Sequence, residues 1–273
     1  MTILLVGGTG LLGRQIKETL ETEYDLISPN SEEFDLSKNI EEQVRTIKAE
    51  TLVFAAQYRN YNSPVVDEDL LYRINTLSLA SIIKNSKVIG LKKIIYLSSG
   101  GIYKFNQAPV HEESPIQDMK SASPYFKSKI WAESILLKHR LDFDVSILRL
   151  FNVYGHRANS SSLMPQLEKK LLDKTPISIS SDGGDLLRPI HCKDVSQTLS
   201  SLIRKRKGTI VNIAGPELLN FRDIVQRMAS NLNVEPVFTE TDKKSLCIAP
   251  DNHKFYKEFH KPEINFTGNW KIP

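Results

Sequence analysis

Two cysteines in 273 residues are too few for a disulfide framework, and Cys192 and Cys247 stand in no metal-ligand spacing. A reducing, cytoplasmic compartment is the expectation. No apolar run approaches the ~20 residues that cross a bilayer. The chain opens directly on an apolar strand pattern, so neither a membrane anchor nor a signal peptide is expected. An excess of one charge is also missing: 36 Lys and Arg stand against 32 Asp and Glu, a net of +4. There is no lysine-rich tail and no basic stretch interleaved with aromatics, which argues against nucleic acid as a partner. The densest basic run, Arg204-Lys205-Arg206-Lys207, reads as a solvated helix end, because Gly208 follows it and cations favour a helix C-terminus. Internal repeats and long linkers are absent as well.

What is present is alternation. Short apolar runs at Ile3–Val6, Tyr24–Ser28, Thr51–Ala56, Lys93–Ser98 and Val145–Leu150 read as strands. Helical patterns at Arg14–Leu20, Ile40–Ile47, Leu70–Ser86 and Pro124–Lys138 lie between them. This order predicts an α/β fold, a doubly wound parallel sheet with crossover helices on both faces. Ligands bind such sheets at the carboxyl ends of the strands. The second half is less regular. It offers a helical segment beginning near Pro165, a loop over Ser180–Asp185, a helix over Lys193–Arg204, a strand over Thr209–Ile213 and a helix over Phe221–Leu232. The expected organisation is a dinucleotide-binding domain over 1–155 that also takes in 190–214. A smaller, discontinuous substrate-binding lobe over 156–189 and 215–273 is expected to close over the sheet edge.

Three segments carry chemistry. Gly7-Gly8-Thr9-Gly10-Leu11-Leu12-Gly13 follows the first strand and precedes the first helix. Glycine there lets the chain turn tightly, and lets backbone N–H groups approach a pyrophosphate at the helix N-terminus. A glycine turn also joins strand to helix where no ligand binds. Tyr125 and Lys129 lie four apart at a helix start and share a face. A phenol near pKa ~10 is a poor acid or base at neutral pH, and a nearby ammonium lowers that pKa. Ser98-Ser99-Gly100-Gly101-Ile102-Tyr103 follows a strand, so a serine hydroxyl can face the crevice. Alone, that segment is also an ordinary Ser/Gly turn.

Taken together, in this order, these segments resemble the extended short-chain dehydrogenase/reductase family, the nucleotide-sugar epimerases, dehydratases and reductases. The likeness continues through Arg73-Ile74-Asn75-Thr76, Leu148-Arg149-Leu150-Phe151-Asn152-Val153-Tyr154-Gly155, Arg188-Pro189-Ile190-His191 and Val211-Asn212-Ile213-Ala214-Gly215. It implies a Rossmann fold with a smaller C-terminal lobe, and a nucleotide-sugar substrate of the kind used in polysaccharide biosynthesis. It implies Ser99 as the catalytic serine, Tyr125 as general acid or base, and Lys129 as the residue that holds the nicotinamide ribose. Cofactor contacts fall on Gly7, Thr9, Gly10, Leu11, Leu12, Gly13, Arg14, Asp35, Leu36, Ala55, Ala56, Asn75, Tyr125 and Lys129. Ser99, Asn152 and Arg188 fall to the substrate, the last two at its diphosphate, where bidentate geometry favours arginine. A surface role for Arg188 stays open. His191 reads as a buried structural histidine rather than a catalyst, and His156 as a candidate substrate contact. Arg59 and Tyr61 read as sugar-pocket residues or as a solvated loop. Family members often pair through four helices, which Leu70–Ser86 and Pro124–Lys138 would supply in a homodimer.

The cofactor follows from the end of the second strand. NAD-using members place an acid there for the ribose hydroxyls. Here Ser28-Pro29-Asn30-Ser31 stands in that place, and Arg14 can pair with a 2′-phosphate. NADP is favoured over NAD, with Glu32 and Glu33 keeping NAD open. Gly100 and Gly101 replace the acids of family dehydratases, and no cysteine lies in Ser99–Tyr103 for a fucose-synthase-like proton shuttle. Reduction of a 4-keto sugar is the expected reaction. An NAD-dependent 4-epimerase using the same residues is the alternative, and a non-catalytic dinucleotide-binding regulator is the third reading.

Overall fold

Ile3, Leu4 and Leu5 of the first strand are fully buried on both faces, as a central strand of a parallel sheet requires. The structure is a computed structural model that describes residues 1–156, 158–205 and 207–271. Arg206 of the basic run and the last two positions of the expected lobe, Ile272 and Pro273, lie outside the described residues. In chain order the elements begin β1 (Thr2–Val6), α1 (Leu11–Leu20), β2 (Asp25–Ile27), α2 (Glu41–Thr46), β3 (Thr51–Phe54) and α3 (Glu68–Tyr72). A π-turn at Arg73–Leu77 leads to α4 (Ser78–Lys84), α5 (Ser86–Ile89) and β4 (Lys93–Ser99). After a 3-10 turn at Gly100–Ile102 come α6 (Pro124–Lys138), β5 (Asp144–Leu150) and β6 (Val153–Tyr154). The rest is α7 (Leu163–Leu172), β7 (Ile177–Ser180), β8 (Leu186–Leu187), β9 (Ile190–His191), α8 (Cys192–Arg204) and β10 (Ile210–Ile213). Then follow β11 (Leu219–Asn220), α9 (Phe221–Leu232), β12 (Phe238–Thr241), β13 (Cys247–Ile248) and α10 (His253–Glu258).

The chain divides into two units. The first comprises Met1–Ile102, Gln117–Arg149 and Ser196–Val211. It is built on a six-stranded sheet of order β10-β5-β4-β3-β1-β2. The pairs β1–β2, β1–β3 and β3–β4 are parallel, with Leu4 opposite Ile27 on one side and Leu52 on the other. Strand order reverses between β1 and β3, which opens a crevice at their carboxyl ends. One core joins Leu4, Val6, Leu52, Phe54, Ile94 and Tyr96 of the sheet to Leu79, Ile82, Ala132 and Leu136 of the helices. Each such side chain, fully buried, contributes roughly 1.5–3 kcal/mol.

The expected helix over Leu70–Ser86 is interrupted by the π-turn. That turn brings Asn75 and Thr76 together onto α6, where Asn75 Nδ2 donates to Ser128 Oγ (2.9 Å) and Thr76 Oγ1 donates to the Ser128 carbonyl (3.1 Å). Single π-turns of this kind occur mostly at functional sites.

The second unit comprises Tyr103–Ile116, Leu150–Val195 and Asn212–Pro273. Its sheets are short: β11-β8-β13, β12-β7 and β6-β9. Met164, Leu167 and Leu171 of α7 pack with Ile224, Val225 and Met228 of α9, together with Phe266 and Trp270. The Asn220 side chain caps α9 by accepting from Asp223 N at 2.8 Å. The expected loop Ser180–Asp185 lies between β7 and β8.

Candidate active site

Gly7 follows β1 directly and has φ +93°, and a Cβ there would lie 2.5 Å from Ala56 N at the end of β3. A Cβ on Gly13 would lie 2.0 Å from the Gly7 carbonyl oxygen, so helix and turn touch through backbone. Gly10 is different. Its Cβ would meet only the Gly7 oxygen, at 3.7 Å, and otherwise open space. Gly10 is also the N-cap of α1, which has no side-chain cap and no acid in its first turn. The positive end of this helix is therefore left for an anion. Arg14 Nε donates to the Thr9 carbonyl (2.9 Å), and Arg59 Nη2 approaches Thr9 Oγ1 (3.5 Å). Two guanidinium groups thus border the turn, and Arg59 reaches the glycine segment from an exposed loop. A glycine cradle and an uncapped helix end fit a dinucleotide pyrophosphate.

Asn30 Oδ1 accepts from the amides of Glu32 (2.7 Å) and Glu33 (3.1 Å), and Glu33 Oε2 accepts in return from Asn30 N (2.9 Å). Both side chains are spent on their own turn, in the manner of a capping box. Ser28 packs under Gly8, where a Cβ would lie 2.2 Å from Ser28 Oγ. Asp35 is engaged locally too, accepting from Ser37 N and Ser37 Oγ and pairing with Lys38 at 3.1 Å. Leu36 packs against the core, and Ala55 N donates to the Val6 carbonyl.

The residues singled out for chemistry meet where β4 runs along α6. Ser123 caps α6 and Pro124 takes its first position, both favourable for a helix start. Tyr125 then lies one turn ahead of Lys129. Its hydroxyl donates to Gln57 Oε1 at 3.3 Å, and Ser99 is near enough to draw its pKa down. Ser99 Oγ also accepts from Gly101 N at 3.1 Å. Lys129 Nζ donates to the Leu97 carbonyl at 2.9 Å and lies 5.7 Å from the Tyr125 ring centre. Tyr61 stacks on Tyr125, with ring centroids 4.3 Å apart and planes inclined by 24°.

The electrostatics depart from the sequence argument. That argument has Lys129 lowering the Tyr125 pKa. Here burial pushes the Tyr125 phenol up, the Tyr61 phenol adds to the rise, and the hydrogen bond with Ser99 alone pulls it back. Lys129 is itself lowered to about 8 by burial, against the opposing pull of Glu133. The physical reason is direction: the amine is turned to a backbone carbonyl, and the phenol is roofed by a second ring.

Asn75 is fully buried, and both ends of its amide are taken. Its Oδ1 accepts from Tyr58 N (2.7 Å) and its Nδ2 reaches Ser128 Oγ. It ties the loop after β3 to α6 rather than presenting a group to a ligand, a departure from the cofactor contact that the resemblance implies. In the second unit, Asn152 has φ +46° and Arg188 Nη1 donates to the Pro216 carbonyl (3.0 Å), while Arg188 Nε is buried without a partner. His191 is fully buried, edge-on to Tyr154, as a structural histidine would be. His156 is exposed. Sequence reasoning passed over Gln57, directly after Ala55-Ala56, and Glu133, which continues the spacing from Tyr125 to Lys129 by another four residues.

A family model described as the NAD dependent epimerase/dehydratase family matches residues 3–214. The chain belongs to that family. It is 31% identical over 240 residues to a putative UDP-glucose 4-epimerase of Methanocaldococcus jannaschii, a match spanning 77% of this chain and 76% of the relative. The family fold is matched closely by solved structures. UDP-glucuronic acid 4-epimerase from Bacillus cereus, in complex with UDP-glucuronic acid and NAD, superposes with TM-score 0.77 at 19% identity, covering 98% of this chain and 96% of that one. RMD from Pseudomonas aeruginosa, complexed with NADPH, gives TM-score 0.81 at 18% identity, covering 99% and 95%. The chain is thus an enzyme of the family's NAD(P)-dependent nucleotide-sugar group, with the family's parallel Rossmann-like sheet. Among the described residues no helix is long and apolar enough to cross a membrane.

Proposed function

We propose that the protein reduces the keto group of a nucleotide-linked 4-keto sugar with NADP(H). The observation that carries the cofactor choice is the turn after β2. Glu33 is folded back onto the Asn30 amide at 2.9 Å, so its carboxylate is not directed at a ribose diol. A 2′-phosphate meets Arg14 instead. Bound nicotinamide supplies hydride exchange at the sugar carbon. The chain supplies the rest. Ser99 Oγ donates to the keto oxygen, Tyr125 delivers the proton, and Lys129 holds the ribose. Asn152 and Arg188 take the substrate diphosphate, and the unpartnered Arg188 Nε supports that role. Dehydration is disfavoured because Gly100 and Gly101 stand where an acid is needed. A Cβ on Gly101 would lie 2.2 Å from the Phe126 ring, so a side chain there requires that ring to move.

The second reading is an NAD-dependent nucleotide-sugar 4-epimerase, favoured by the 31% likeness to the putative UDP-glucose 4-epimerase. The purified protein separates the two. Release of no NAD, with consumption of NADPH on adding a 4-keto nucleotide sugar, supports the reductase. Tightly bound NAD, with interconversion of C4 epimers and no net consumption, supports the epimerase. Dinucleotide binding without turnover of any sugar nucleotide sinks both and leaves the regulator. Tyr125→Phe is expected to lower kcat by about 100-fold or more while dinucleotide affinity holds. Full activity in that variant would remove the mechanism.

A further inference from the structure

Behind the Tyr125–Lys129 pair lies a charged cluster that the chemistry above does not use. Glu133 and Arg149 are both buried, with side chains 6% and 7% exposed. Arg149 Nη2 donates to Glu133 Oε2 at 2.7 Å, and Arg149 Nε reaches both carboxylate oxygens at 3.2 and 3.3 Å. Ser98 Oγ donates to Glu133 Oε1 at 2.5 Å.

These contacts gather at one strand end and one helix face. Tyr125, Lys129 and Glu133 fall on one stripe of α6, spaced by four residues. Leu97, Ser98 and Ser99 are the last three residues of β4. The Leu97 carbonyl takes Lys129 and Ser98 takes Glu133, while Ser99 follows them directly. Two successive strand residues are thus tied to successive turns of one helix. A buried ion pair is seldom the most stabilising way to fill a core, since apolar residues of equal volume often do as well. A charge in this place acts on its neighbours.

We propose that Glu133 is a positioning residue: its carboxylate, held by Arg149 and Ser98, fixes the strand end that carries Ser99 and sets an anion one turn beyond Lys129 on the same face of α6. This inference rests on the reading of Ser99, Tyr125 and Lys129 as the reacting cluster. The groups that face Lys129 are Tyr125 and Glu133 on α6 and Tyr96 on β4, whose ring centre is 5.0 Å from Nζ. Arg149 on β5 stands behind Glu133, Tyr61 acts through Tyr125, and the π-turn contributes uncharged Asn75 and Thr76. Of these groups Glu133 is the anion, and it opposes the desolvation that drives the amine neutral.

The test uses Glu133→Gln, Glu133→Asp and the double variant Glu133→Gln/Arg149→Met, which removes both buried charges. Lys129 is titrated by NMR of ε-13C-labelled lysine in the cofactor-free protein. Its midpoint is expected to fall by about one pH unit in Glu133→Gln and in the double variant, and to hold in Glu133→Asp. The alkaline limb of kcat is expected to move down with it, while KM for the sugar nucleotide stays within about twofold. Removal of the unpaired Arg149 charge restores the melting midpoint lost in Glu133→Gln. A double variant that melts like wild type and also titrates Lys129 like wild type would show Glu133 to be packing alone, and would overturn the proposal. If Glu133→Gln does not fold, the double variant and Glu133→Asp decide. Absence of sugar-nucleotide turnover in the wild type would instead remove the proposed function, and the lysine titration would still decide this point.

Discussion

Tyr61 covers the phenol on which the proposed chemistry turns. A stacked ring at 4.3 Å covers one face of Tyr125, whose pKa is raised first by burial and then by the Tyr61 phenol. Tyr61→Ala should therefore lower the Tyr125 pKa toward its ordinary value of ~10. Tyrosinate absorbance, read as the difference between Tyr61→Ala and Tyr61→Ala/Tyr125→Phe, measures it. An unchanged Tyr125 midpoint would mean that the roof is not what holds the proton on. The same pair shows how far residues could be read in sequence. Ser99, Tyr125 and Lys129 were legible as a group through the family resemblance, since local spacing gave only a shared helix face and a Ser/Gly turn at a strand end. The sense of the Tyr125 shift was not legible. It depends on where the loop carrying Gln57 and Tyr61 folds back, and no periodicity encodes that.

At the scale of elements, the glycine turn separates two reasons for glycine that look alike in sequence. Gly7 and Gly13 are fixed by contact with backbone at 2.5 and 2.0 Å, so a side chain at either breaks the fold. Gly10 has φ −76° and room for a side chain, so the fold itself does not require glycine there, and the proposed dinucleotide gives it a reason. Gly10→Asp should place a carboxylate at the uncapped N-terminus of α1. The apoprotein should gain a few tenths of a kcal/mol, the usual difference between Gly and Asp at an N-cap. Dinucleotide affinity should fall by about tenfold or more, since the new anion occupies the place of the pyrophosphate. Thermal melting and dinucleotide titration on the same sample check both signs, and a variant that binds normally would place the pyrophosphate elsewhere. Strand and helix positions in the first unit were largely visible from apolar runs and 3.6-residue spacing. The π-turn at Arg73–Leu77 was not, because one added residue within a helix leaves the apolar pattern almost intact while it redirects Asn75 and Thr76.

For the whole molecule, the second unit was the harder to read. Its strands β6, β8, β9, β11 and β13 are two residues long, too short to show alternation. The titration of the whole molecule, in contrast, follows from a few buried groups. Lys129 is lowered to about 8 in the folded state against 10.5 for the free side chain, so between these values the unfolded chain holds more protons. Stability must then rise with pH from about 8 upward, as folding no longer buries an ammonium. Tyr96, Tyr125 and Tyr154 are shifted the other way, raised by burial. Above pH ~10 the unfolded chain releases their protons while the folded chain keeps them, so stability falls. Burial raises the Cys247 thiol as well, which adds to the fall above its ordinary value of 9.0, so the cofactor-free protein should show its stability maximum above about pH 8, more alkaline than the common range. Lys129→Met should abolish the rising limb, leave the falling limb, and stabilise the protein at neutral pH by on the order of 3 kcal/mol. Urea midpoints across pH for the two proteins measure this. A rising limb that survives in Lys129→Met would assign it to another group and show that Lys129 is solvated in the absence of cofactor. If the limb goes and neutral-pH stability grows while turnover is lost, the lysine is one that the fold tolerates at a loss for the sake of the chemistry.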